Sequence, residues 1–326
     1  MDLLSRLSQL VRGPHALRRW AMASLVANIA IVVTGGLVRL TGSGLGCPTW
    51  PRCSEASYVT HPALGLHGAI EFGNRLLTFV LVVIAVLTWV SALLHRDTPL
   101  PGQTRGRRRR DHRWLTAGLL LGIPVQAVIG GITVLTGLNP LVVGLHLMVS
   151  MVLIALSVWL VRRTRSITAH PARAAAVLLA RATLVTMFVA VGLGTIVTGS
   201  GPHSGDENVG RTGFDGAFVT HLHAAAVYVS IAGTLGCLLL LRSRAAVLLL
   251  GVEVLQAAIG ITQYHLGLPI GLVLLHLLGA SLAVAAATNL ALSARRAPTG
   301  PTPRELDLLG QRSSGSMAAA TKTTAR

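Results

Sequence analysis

Eight apolar stretches of close to twenty residues each limit what this chain can fold into more than any other feature. They run at 20–40, 68–94, 115–136, 141–161, 177–198, 219–241, 245–263 and 270–293. A helix rises about 1.5 Å per residue, so some 20 residues cross a hydrocarbon layer of about 30 Å. Lipid offers the backbone no hydrogen-bond partners, so each stretch must satisfy its own amides, and the helix does so within one segment. The predicted fold class is an all-α membrane protein with eight transmembrane helices and no sizeable soluble domain. Composition agrees: 52% of the 326 residues are hydrophobic and 12% charged, about half the charged share of a soluble domain.

The net charge of +17 would suit nucleic acid if it formed one patch, but its distribution points elsewhere. Arg6, Arg12, Arg18 and Arg19 precede helix 1. Residues 96–113, with the run Arg107–Arg110, connect helices 2 and 3; Arg162, Arg163, Arg165 and Arg173 connect 4 and 5; Arg242 and Arg244 connect 6 and 7; Arg295 and Arg296 follow 8. Alternate threading puts all of these on one side, the positive-inside pattern. The expectation is a multi-pass membrane protein with both termini cytoplasmic, with lipid and not nucleic acid as its surroundings. Helix 1 is too long for a cleaved signal peptide and is expected to be retained. The linker 96–113 reads as mobile.

A second constraint is internal repetition. QAVIGGITVLTGLNPLVVGLHLMVS, from Gln126 to Ser150, recurs as QAAIGITQYHLGLPIGLVLLHLLGAS from Gln256 to Ser281, each with a turn closing on Pro140 or Pro269. A histidine lies twenty positions past each Gln, at His146 and His276. The end of helix 5, GTIVTGSGPHSGD, echoes GLVRLTGSG at the end of helix 1. These are two tandem four-helix bundles related by a pseudo-two-fold axis along the membrane normal. The boundaries are a cytoplasmic lead at 1–19, an N-terminal half at 20–161, a linker at 162–176, a C-terminal half at 177–293 and a disordered tail at 294–326.

Polar residues inside such helices mark candidate function. Helix 2 opens with GLHGAIEFGNRLLT, where His67, Glu71 and Asn74 share one helical face and are expected to point into the bundle. Arg75 can pair with an anion or snorkel. Helix 6 opens with VTHLHAAAVYV; His221 and His223 lie about 200° apart, so one of them faces inward. Each half thus offers a histidine pair, His67 with His146 and His223 with His276, all within about two turns of the outer surface. Inward imidazoles across a four-helix bundle suit ligation of a haem iron from both faces. The absence of CxxCH means that such a haem is held non-covalently. Glu253 in helix 7 reads as lying near the cytoplasmic end, where snorkelling explains it. Cys47 and Cys53, in CPTWPRC, stand on the outer side, where oxidising conditions permit a disulfide; two free thiols are the alternative. Cys237 reads as a packing residue.

The sequences LTGSGLGCPTWPRC, IEFGNRLLT, GGITVLTGLNPLVVGLH, TGSGPHSGD, LHAAAVY and QYHLGLPIGLVLLHLLGA resemble those of the haem A synthase family over residues 20–290. With many Arg and the single lysine Lys322, the resemblance is to the high-GC bacterial branch. It implies an eight-helix oxidoreductase of a bacterial plasma membrane that converts the C8 methyl of haem O to a formyl group by successive hydroxylations, giving haem A for terminal oxidases. Haem O synthase would supply the substrate; the electron acceptor is not implied. By the same resemblance His223 and His276 ligate the iron of haem b, and the substrate haem sits near His146 and the catalytic Glu71. One position departs from the family: where many members have Glu-x-x-His, this chain has Glu71-Phe72-Gly73-Asn74. His67 substituting as ligand and ligation by His146 alone are both open. A di-haem electron-transfer cytochrome is the competing reading, and a repeat-built transporter a third.

Overall fold

The apolar stretches form continuous helices with short connections in the computed structural model, which describes residues 9–13, 15–95, 105–165, 167, 169–202 and 210–297. The helices are α1 (Ala16–Leu40), α2 (Gly65–Leu94), α3 (Arg105–Leu135), α4 (Pro140–Thr164), α5 (Ala174–Ser200), α6 (Gly216–Leu241), α7 (Arg244–His265) and α8 (Ile270–Ala291). All eight contain a stretch long and apolar enough to cross a membrane. The chain is a multi-pass membrane protein. Most helices begin before the apolar stretch does, because helical hydrogen bonding carries on past the hydrophobic boundary. The largest difference is in the linker 96–113: α3 already begins at Arg105, so part of the connection read as mobile is helix. Residues 96–104 lie outside the described residues.

Each half closes as a ring in which neighbours in sequence touch and the first helix meets the fourth. In the N-terminal half α1 packs on α2 and α4, and α3 on α2 and α4; in the C-terminal half α5 packs on α6 and α8, and α7 on α6 and α8. The halves meet through α4 against α5, α4 against α8, and α1 against α8. Lipid is as apolar as a leucine side chain, so close packing holds such a seam together, and small residues permit it. Accordingly, Ala180, Ala283 and Ala287 are fully or almost fully buried there beside Met151, Ile154, Val284 and Leu290. Cys237 is buried in the same cluster.

The two α3–α4 and α7–α8 turns show the repeat at atomic detail. Gly137 and Leu138 have φ of 60° and 59°, Gly267 and Leu268 of 72° and 62°. Leu138 N–H bonds back to Thr133 O and Leu268 N–H to Gln263 O, both at 2.7 Å, which is the Schellman arrangement that satisfies last-turn carbonyls. A constant offset of 130 residues relates the two turns, so Asn139, and not Pro140, stands at the position of Pro269. Asn139 caps α4 by accepting from Leu141 N–H at 3.0 Å.

At the arginine-rich end, Arg162 is buried and donates to Asn289 Oδ1 and Leu292 O, tying α4 to α8. Two short strands, β1 (His170–Ala172) and β2 (Ala294–Arg296), pair in parallel beside it. The tail expected to be disordered from 294 therefore begins with an ordered strand, because the α4–α5 connection offers a free strand edge. Residues 298–326 lie outside the described residues.

Candidate functional site

Three half-buried imidazoles share one packing arrangement. His146 on α4 leans on Gly130 of α3, His223 on α6 leans on Gly194 of α5, and His276 on α8 leans on Gly260 of α7. In all three cases a Cβ added to the glycine would lie 3.2 Å from the ring Cε1. A larger residue would displace the ring, so the glycines are cradles. His146 and His276, with Gly130 and Gly260, keep the 130-residue offset. Gln126 Nε2 donates to His146 O at 3.1 Å and Gln256 Nε2 to His276 O at 2.8 Å.

In the C-terminal half His223 Nδ1 lies 2.8 Å from Ala190 O. A carbonyl only accepts, so Nδ1 carries the proton and Nε2 presents its lone pair, the state an iron ligand needs. His221 is exposed, with Nδ1 turned back to Ala217 O at 2.7 Å. Two histidines two residues apart thus part company as helical geometry requires.

By the family resemblance, Asn74 stands in the N-terminal half where many members have an axial histidine. Its Oδ1 accepts from Thr34 Oγ1 at 2.8 Å, and its Nδ2 comes within 4.0 Å of a Cβ placed on Gly35. Asn74 therefore faces α1 much as His223 faces α5. His67 is in a different place from the inward position expected of it. It is the third residue of α2, some 10 Å nearer the helix mouth than Asn74. Its ring is exposed, with Nδ1 2.9 Å from Ser43 Oγ.

Glu71 is buried and fully engaged. Oε2 accepts from Cys47 N–H at 2.7 Å; Oε1 accepts from Arg75 Nη2 at 2.6 Å and Nε at 3.1 Å. Arg75 also donates to Cys47 O, Thr49 O and Arg52 O, each at 3.1 Å. Arg75 does not snorkel: it clamps a loop that the Cys47–Cys53 disulfide closes. The loop delivers Trp50 onto Gly131, where an added Cβ would fall 2.3 Å from the indole. Gly131 adjoins Gly130, so Trp50 sits beside the cradle of His146. At the register of Gly131 the C-terminal half has Ile261.

Sequence reasoning missed Trp50, the glycine cradles and the role of the two glutamines, although the constant offset signals the last two. It also misplaced Glu253, which is the tenth residue of the 22 in α7, about 13 Å from the helix start and close to its middle. Glu253 is buried, and its Oε1 accepts from Ser230 Oγ at 2.7 Å. Snorkelling does not explain it. His203 and Asp206, in the α5–α6 connection, lie outside the described residues.

No group of three His, Cys, Asp or Glu able to hold a bare metal ion occurs among the described residues. The donor set suits instead an iron whose equatorial ligands come with a macrocycle, leaving one or two axial places for imidazoles. The Nδ1 atoms of His146 and His276 are buried without a hydrogen-bond partner.

A model of the COX15-CtaA family, described as cytochrome oxidase assembly protein, matches residues 18–64 and 66–202. Among curated proteins, a heme A synthase of Geobacillus thermodenitrificans is 30% identical over 116 residues, 35% of this chain and 32% of that protein. One of Bacillus licheniformis is 26% identical over 142 residues, 42% of this chain and 41% of the relative. One of Bacillus pumilus is 28% identical over 142 residues, with the same coverage. The chain thus spans about a third to two fifths of the length of the curated relatives it matches.

Proposed function

From membership of the COX15-CtaA family of cytochrome oxidase assembly proteins, we propose that this chain is a haem A synthase, an oxidoreductase converting the C8 methyl of haem O to a formyl group. The observation that carries the reading is the asymmetry of the two cradles. His223 and His276, each leaning on a glycine of the neighbouring helix, form a pair fit to hold a resident haem b, whereas in the N-terminal half His146 has such a cradle and α2 brings the amide of Asn74. A cofactor must stay and a substrate must leave as product, so two imidazoles suit the first and one suits the second. His67, exposed at the helix mouth, is not needed as a ligand in this arrangement.

Oxidising a methyl to a formyl group with oxygen from water removes four electrons and four protons. Held by His223 and His276, haem b would relay these electrons one at a time to an external electron acceptor. His146 binds the substrate iron and fixes the macrocycle, while Trp50 and the disulfide loop shield it from water. Glu71, on the face of α2 that carries Asn74, accepts a proton or stabilises positive charge developing at the reacting carbon. The arginine-rich helix ends support an orientation with that side, and with it both termini, in the cytoplasm and the disulfide loop on the far side of the plasma membrane. Haem O synthase supplies the substrate.

One observation favours the di-haem cytochrome: Arg75 and Cys47 N–H already satisfy Glu71, which gives the carboxylate a structural purpose. Extraction of haem from membranes carrying Glu71→Gln separates the two. The synthase reading expects haem b retained and haem O or a hydroxylated product accumulating; undiminished haem A rules out an essential carboxylate here. A wild-type chain that forms no haem A from haem O leaves the cytochrome.

A further inference from the structure

In both halves the same two atoms are buried and lack a hydrogen-bond partner. They are the amide oxygen of the glutamine, Gln126 Oε1 or Gln256 Oε1, and the Nδ1 of the histidine twenty positions on, His146 or His276. These glutamines already touch their histidines, since each Nε2 donates to the histidine's own carbonyl. The ring of each histidine leans on the glycine four residues past the glutamine, so amide and imidazole share one face of α3 or α7 a single turn apart. His223 differs, because Ala190 O takes its Nδ1 proton.

An imidazole bound to iron through Nε2 must carry its proton on Nδ1. A buried N–H without an acceptor is destabilising, and ligating histidines almost always place that proton on a carboxylate, carbonyl or water. The unused amide oxygen is an acceptor of the required kind. Oε1 and Nδ1 are not bonded to each other in this structure; we infer that Gln126 and Gln256 are positioning residues for iron ligation, each offering Oε1 as the acceptor of its histidine's Nδ1–H when the ring's Nε2 binds iron, while the amide Nε2 holds the same histidine's backbone. This assignment rests on the haem reading above. The two copies support the amide differently. Gln126 Nε2 has a second acceptor in Ser150 Oγ. Position 280 is Ala, and Gly279 leaves the space that Gln256 Oε1 occupies, an added Cβ there falling 2.0 Å from it.

Accepting the Nδ1 proton makes the imidazole a stronger donor to iron and favours the ferric state, so the bond is read in both affinity and potential. The experiment uses the full chain in detergent with haem b, measuring dissociation of the low-spin haem and its midpoint potential for wild type, Gln256→Leu and Gln256→Glu. Leucine is expected to weaken haem retention about 10-fold or more and to raise the potential. Glutamate keeps an acceptor oxygen, and is expected to restore retention with a potential at or below that of wild type. Should Gln256→Leu fail to accumulate, Gln256→Asn, which withdraws the amide by one methylene, takes its place with the same expectation. An unchanged Gln256→Leu, or a glutamate variant shifted as far and in the same direction as leucine, overturns the assignment alone. A wild type that takes up no haem overturns the haem reading and this assignment with it.

Discussion

The two halves fold alike and differ in the side chain that the second helix turns toward the first. In the C-terminal half α6 turns His223 to α5, its Nδ1 proton placed on Ala190 O. In the N-terminal half α2 turns Asn74 to α1, an amide that accepts from Thr34. The surroundings differ as well. Around His146 the chain has added an ion pair, a disulfide and an indole, all from the α1–α2 connection or the first turns of α2. At the register of Gly131, which admits the indole, the C-terminal half has Ile261. A repeat therefore fixes where a histidine helix and its glycine cradle stand, while single substitutions and one loop decide what surrounds them; on the proposed reading this sets whether a haem is held from two sides or one.

The largest expected effect removes the stronger grip. His276→Ala or His223→Ala should abolish or convert the low-spin haem spectrum of the C-terminal half, and an unchanged spectrum in His276→Ala would break the comparison at its root. The reciprocal change, Asn74→His, should create a second low-spin signal in chain loaded with haem and slow release from the N-terminal half; failure to do so would mean that α2 and α6 are not equivalent at this depth.

A smaller effect should come from the loop clamp. Arg75→Leu leaves Glu71 buried without its cation, for which about 3 kcal/mol is typical, and it frees three loop carbonyls. Thermal unfolding in detergent should shift downward, and substrate haem affinity should fall with the C-terminal low-spin spectrum unchanged. Loss of both haems together would show that the clamp supports the whole chain and not one half.

The smallest is a test of the indole. Gly131→Ala places a methyl against Trp50, an overpacking of about 1 kcal/mol. It should loosen Trp50, seen as a change in tryptophan fluorescence, with little change at His276. An unaltered fluorescence would remove Trp50 from the wall of the N-terminal site.

Much of this was legible before any coordinates. Twenty apolar residues without a charge can cross lipid only as a helix, and spacing alone parts His223 from His221 because successive residues turn by about 100°. The repeat of Gln126 and His146 at Gln256 and His276 is visible as letters at a constant offset. Other facts needed the tertiary structure. Helical periodicity puts His67, Glu71 and Asn74 on one face, but says nothing of where α2 begins. Because it begins at Gly65, His67 falls at the mouth, exposed, while Glu71 is buried. That Glu71 and Arg75 are committed to the backbone of a loop more than twenty residues away is long-range packing, on which no local pattern bears. The same holds for Glu253: hydropathy marks an acid within a span, and only the approach of Ser230 from α6 shows how lipid-depth burial of a carboxyl group is met by a hydrogen bond.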